Sequence, residues 1–169
     1  FFVYRVFRKL GWLNRVYGVF IALQNRAIRS TIQLLQRDYP GVQIVVVGLG
    51  QTGEFPASVR DLRVLHMTES VEKQWCEAYS KSHVVVGIHG SNMILPTGLS
   101  AGFVEILPHD RYGNLMQDIA MRYSDRRMHF LGRFVDEFAT PRDVVRHCVS
   151  ILTQFGEFYR HLNEGCIEK

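Results

Sequence analysis

An imidazole followed by small and amide-bearing residues is the sharpest chemical signal in the chain. His89-Gly90-Ser91-Asn92 comes straight after the apolar run His83 to Ile88. A buried strand there would deliver His89 to a sheet edge, and Gly90 would let the backbone approach a ligand closely. Ser91 or Asn92 can cap a following helix, whose free N–H groups would face an anion. The same four residues also fit a capped turn with a packing histidine, and both readings stay open. Glu105 sits inside the apolar run Phe103-Val104-Glu105-Ile106-Leu107. A buried carboxylate is costly unless paired or hydrogen-bonded. It suits either a ribose, whose hydroxyls it would accept, or an arginine partner or edge-facing position.

Arg26 and Arg29 are three residues apart, which places them on one face of an expected helix start. Two guanidinium forks there either grip a diphosphate or lie in solvent. Gly48-x-Gly50-x-x-Gly53 follows an apolar run and has the spacing of a dinucleotide fingerprint. That fingerprint needs a helix beginning inside it. Glu54-Phe55-Pro56 follows instead, so an ordinary loop is expected. His66, His129, His147 and His161 form no H-x-H or H-E-x-x-H pair, and no metal site is expected. Cys76, Cys148 and Cys166 lack metal or disulfide-framework spacing.

The elements that must position these residues read as an alternation of strands and helices. Residues 2–16 have the spacing of an amphipathic helix, broken at Gly18. Val19 to Leu23 reads as a buried strand. Ile28, Ile32, Leu35 and Tyr39 mark a helix closed by Pro40-Gly41. Val42 to Val47 is a second strand, residues 48–61 a loop, and Arg63 to Met67 a third strand. Thr68 or Ser70 caps a helix running to Ser82. His83 to Ile88 is a fourth strand, residues 91–100 a short helix, and Gly102 to Leu107 a fifth strand. A helix over 113–123 and a strand from Met128 to Leu131 follow. Thr140, Pro141 and Asp143 then open a final helix. Strands that are apolar on both faces imply an α/β fold: a Rossmann-like parallel sheet with helices on both faces. In such sheets, ligands bind beyond the carboxyl ends of the strands.

The chain has 169 residues, 47% hydrophobic and 21% charged. That is ordinary globular usage, which excludes disorder, collagen and coiled coil for the whole chain. Residue 1 is phenylalanine, so a fragment or processed product is expected. Net charge is +4 at pH 7, and residues 1–37 hold Arg5, Arg8, Lys9, Arg15, Arg26, Arg29 and Arg37 with no acid. The expected organisation is residues 1–17 as a basic amphipathic helix or linker and residues 18–165 as one domain. A basic front suits an anionic contact, with ligand phosphates, a lipid surface or nucleic acid, or else, for Arg5 to Arg15, a solvated basic helix. No nucleic-acid-binding motif or basic stripe follows it.

These residues resemble the family 61 glycosyltransferases. The pieces are Gln24-Asn25-Arg26-Ala27-Ile28-Arg29, Glu72-Lys73-Gln74, Val86-Gly87-Ile88-His89-Gly90-Ser91-Asn92-Met93 and Gly102-Phe103-Val104-Glu105-Ile106-Leu107-Pro108. Order and spacing agree over about residues 19–112. Ser91 stands where the family has alanine, and Met93-Ile94-Leu95 where it has Leu-Thr-Asn. The resemblance implies the C-terminal half of a GT-B enzyme, with an acceptor-binding half preceding residue 1. It implies transfer of a sugar from a nucleotide diphosphate sugar to a glycan or other hydroxyl acceptor, as in polysaccharide biosynthesis, with no cofactor. Nucleotide-sugar binding would fall to Arg26, Arg29, His89, Gly90, Ser91, Asn92 and Glu105. Arg26 and Arg29 would neutralise the diphosphate, His89 would bond the phosphate or sugar, and Glu105 would hold the ribose. No catalytic base is named. The expected location is cytoplasmic, with membrane-surface contact through residues 1–17. Two other function classes remain: a dinucleotide-dependent oxidoreductase using the 48–53 glycines, and a non-catalytic interaction domain.

Overall fold

The computed structural model describes residues 13–117, 119 and 125–164. The expected amphipathic helix over 2–16 falls largely outside them, as do Cys166 and the end of the helix expected over 113–123. The chain divides into two compact units, residues 1–67 and 68–169. It is α/β, with two small parallel sheets and helices between strands.

The first unit opens with α1, Leu13–Asp38. The helix runs through Gly18 and through the stretch expected as a first strand. A short apolar run such as Val19 to Leu23 fits either element, and its surroundings decide. One glycine costs a helix only about 1 kcal/mol, and Leu, Gln, Arg and Ala around it are good helix formers. Ile21, Asn25, Ile28, Ile32 and Leu35 recur at helical spacing on the covered side, with Ile32 buried. Val19 and Leu23, expected inside a sheet, are 60% and 56% exposed.

A turn at Pro40-Gly41 follows, Gly41 adopting φ +85°. Strand β1 (Ile44–Val46) pairs in parallel with β2 (Val59–Asp61), Ile44 opposite Val59 and Val46 opposite Asp61. The third strand thus lies earlier than expected, at 59–61 rather than 63–67. Of the expected span only a bridge at Val64 persists, opposite Leu49. Arg63 explains the break. Its guanidinium turns back to Asp61 and to the carbonyls of Thr52 and Gly53.

The second unit alternates regularly. Helix α2 (Glu69–Ser80) is capped by Thr68, whose hydroxyl accepts from the Val71 N–H. Strand β3 (Val84–Ile88) leads through a 3-10 turn (Ser91–Met93) into α3 (Ile94–Leu99) and then β4 (Gly102–Leu107). A 3-10 segment (His109–Gln117), α4 (Arg126–Phe130), β5 (Gly132–Asp136) and α5 (Pro141–Glu164) complete it. The expected strand at Met128 to Leu131 is therefore mostly helix α4, and the strand begins at Gly132. Asp125 caps α4 by accepting from the Arg127 N–H, which starts a helix where the apolar run alone suggested a strand.

The three strands are parallel in the order β3-β4-β5. Central β4 is the most buried: Phe103, Val104, Glu105 and Leu107 are all buried. Burial on both faces is what a near-continuous apolar strand implies. Val144, Val145, Cys148 and Ile151 form the covered stripe of α5. Thr140 and Asp143 cap it reciprocally: the Thr140 N–H and hydroxyl donate to Asp143, and the Asp143 N–H donates to the Thr140 hydroxyl.

Candidate functional site

The carboxyl edge of the β3-β4-β5 sheet carries the candidate site. Gly87 of β3 lies opposite Glu105 of β4. Side chains alternate along a strand, so residues 87, 89 and 105 share a face. Backbone pairing continues one residue past β3, where the His89 N–H donates to the Ile106 carbonyl at 2.9 Å. His89 is thereby held at the strand end, diagonal to Glu105. The His89 Nδ1 and the Glu105 Oε2 are hydrogen-bonded, with the two side chains 0% and 2% exposed. The Phe134 ring of β5 stands edge-on to the imidazole, centroids 6.0 Å apart.

The second nitrogen, His89 Nε2, is buried and has no hydrogen-bond partner among the described residues. An unsatisfied buried polar atom costs about 1–3 kcal/mol. Glu137, just beyond β5, is the second such case at this edge. Its Oε1 accepts from the His109 N–H at 3.2 Å, while its Oε2 is buried without a partner among the described residues. Two unpartnered buried polar atoms thus follow the outer strands of one sheet.

Gly90 has φ +152° and ψ −179°, and a Cβ there would lie 3.1 Å from the Asn92 Oδ1. The position therefore favours glycine. Ser91 and Asn92 are exposed. Neither caps by side chain; Gly90 is the N-cap, and its carbonyl accepts from the Met93 N–H. The expected side-chain cap is thus replaced by a 3-10 turn. Met93 is buried, with its sulfur against Gly87, where any Cβ would collide with it.

Glu105 does not present its carboxylate to solvent. It faces His89 instead. Strand register, which no single run of the sequence contains, makes this pairing. Two neighbouring parallel strands with Gly87 and Glu105 in register necessarily bring residue 89 diagonal to the carboxylate.

In the first unit, Arg26 and Arg29 lie in the middle of α1, not at a helix start, because the expected strand at Val19 to Leu23 belongs to the same helix. Arg26 is exposed, and Arg29 reaches the Glu54 carbonyl at 3.5 Å. The Asn25 side-chain amide donates to the Thr52 carbonyl at 2.9 Å. The Gly48–Gly53 segment is a loop with no helix starting before Met67, so the dinucleotide fingerprint lacks the element that would meet a pyrophosphate. Gly48, Gly50 and Gly53 all have positive φ, which is a turn role. Arg63, which the sequence did not single out, organises this loop. Its guanidinium bonds the Thr52 and Gly53 carbonyls at 2.7 Å each and lies 4.4 Å from the Phe55 ring centroid. Its hydrogen bond holds the Asp61 carboxyl below the ordinary carboxylate range, against a smaller opposing effect of burial.

Among the described residues, no group of three or more His, Cys, Asp and Glu could hold a metal ion, and no helix is long and apolar enough to cross a membrane. The chain matches no protein-family model, no curated protein and no solved structure. Any functional reading therefore rests on the residues and their geometry.

Proposed function

We propose that this chain is the nucleotide-sugar-binding part of a glycosyltransferase, with a Rossmann-like sheet similar to the C-terminal half of the family 61 GT-B enzymes. It would bind a nucleotide diphosphate sugar for transfer to a hydroxyl acceptor. The observation that carries the reading is the pair of unpartnered buried polar atoms, His89 Nε2 and Glu137 Oε2, at the carboxyl edge of one parallel sheet. That edge is where open α/β sheets take ligands. The ordered motifs around Arg26, Glu72, His89 and Glu105 support the same reading.

In this reading the ligand meets His89, Gly90, Ser91 and Asn92 beyond β3. Glu137 is the carboxylate whose Oε2 is left for ligand hydroxyls, in place of Glu105.

Thermal unfolding of the full chain with a panel of nucleoside diphosphates, and with NAD as comparison, tests the proposal. A ligand that binds only the folded state raises the midpoint with concentration. At least one nucleoside diphosphate is expected to do so, and NAD is not. A midpoint unmoved by every nucleoside diphosphate contradicts the proposal, and a shift with NAD alone favours a dinucleotide-binding role.

A further inference from the structure

We infer that Glu105 is a positioning residue for His89: it fixes the imidazole proton on Nδ1 and leaves Nε2 as a hydrogen-bond acceptor. The inference rests on the nucleotide-sugar reading only for what Nε2 accepts from.

A carboxylate can only accept, so the bond between Glu105 Oε2 and His89 Nδ1 requires the proton on Nδ1. In a neutral imidazole the other nitrogen is then a bare lone pair. Rotation of the ring would break this bond, and the ring is held. Both side chains are buried, Phe134 flanks the imidazole, and the backbone of residue 89 is tied to Ile106. Nε2 lacks a partner among the described residues, so the lone pair is the part of the pair not used for structure there. The atom it takes must bring a hydrogen. On a nucleotide sugar, hydroxyls of the sugar or ribose do so, and ionised phosphate oxygens do not. His89 therefore reads the hydroxyl part of the ligand rather than its diphosphate.

The test is nitrogen NMR of the full chain labelled with 15N-histidine, at about pH 8, where an ordinary imidazole is neutral. The His89 signals are assigned by their loss in His89→Gln. The wild type is expected to show a protonated Nδ1 and a bare Nε2. Glu105→Gln keeps an accepting oxygen and should retain that pattern, whereas Glu105→Leu should lose it. A bare Nδ1 in the wild type, or protons on both nitrogens, overturns the inference. So does a wild-type pattern in Glu105→Leu. Where Glu105→Leu does not fold, the wild-type spectrum alone decides. Inorganic pyrophosphate and a nucleotide diphosphate sugar are then added separately. Only the nucleotide sugar should move the Nε2 signal, and an Nε2 protonated by pyrophosphate overturns the inference. If no nucleotide sugar binds, the proposed function fails, while the ligand-free spectrum still upholds or overturns the role of Glu105.

Discussion

His89 and Glu105 are hydrogen-bonded across adjacent parallel strands, with both side chains almost wholly withdrawn from water. Each needs the other: the imidazole proton has the carboxylate, and the carboxylate has a donor inside an otherwise apolar strand. Removing either member takes this buried hydrogen bond away from the other. Glu105→Ala or His89→Ala is expected to destabilise the protein by about 3–5 kcal/mol in urea unfolding, the range for breaking a buried pair. The double replacement by leucines should cost clearly less than the two single losses combined, because neither polar group remains. Additive losses would show that the two side chains do not depend on each other.

Gly87 and Met93 make a second, purely steric prediction. The Met93 sulfur fills the space a Cβ at residue 87 would take. Gly87→Ala is expected to cost about 1–3 kcal/mol through overpacking. Met93→Ala in the same chain should recover part of that loss. A Gly87→Ala variant as stable as the wild type would contradict the packing described here.

The fold and the site were unequally legible in the sequence. Gly102 to Leu107 was readable to the residue, because a strand apolar on both faces has few alternatives. Val19 to Leu23 was not, because five apolar residues fit a strand or a helix turn equally, and the helix ladder through Gly18 depends on residues on either side. The strand after α4 was misplaced because the Asp125 cap was not read as a helix start. That shift also hid Glu137, which only gains meaning once β5 ends at Asp136. His89 was legible as a site candidate, but its partner was not. Pairing with Glu105 is a matter of register between strands, which periodicity along one strand does not contain.

Arg63 and Asp61 predict an acid-sensitive loop. The Asp61 carboxyl is more acidic folded than unfolded, chiefly through its hydrogen bond with Arg63. The stability it contributes is therefore present above the ordinary carboxylate value of about 3.9 and is lost as pH falls through its lower folded value. Asp61→Asn should flatten the acid limb of the stability–pH curve in that window. Arg63→Met should speed hydrogen exchange across residues 51–55 by freeing the Thr52 and Gly53 carbonyls. Unchanged exchange there would mean that Arg63 does not hold the loop.

Cys148 is buried in α5, and burial pushes its thiol up to about 12. A thiolate is the reactive form. At pH 8 iodoacetamide should leave Cys148 unmodified in the folded protein and modify it after urea unfolding, as read by peptide mass spectrometry. Half-buried Cys76 should react first of the two. Rapid alkylation of native Cys148 would contradict the packing of α5.

The proposed function puts a nucleoside diphosphate ligand at the His89 end of β3. The direct measurement is calorimetric titration of the wild type and of His89→Gln with the tightest-binding nucleotide diphosphate sugar of a panel. A loss of about 1.4 kcal/mol corresponds to a tenfold rise in Kd. A measurable wild-type Kd is expected, with a rise of roughly tenfold or more in the folded variant. Equal Kd values for the two proteins, or no binding by any member of the panel, would contradict it.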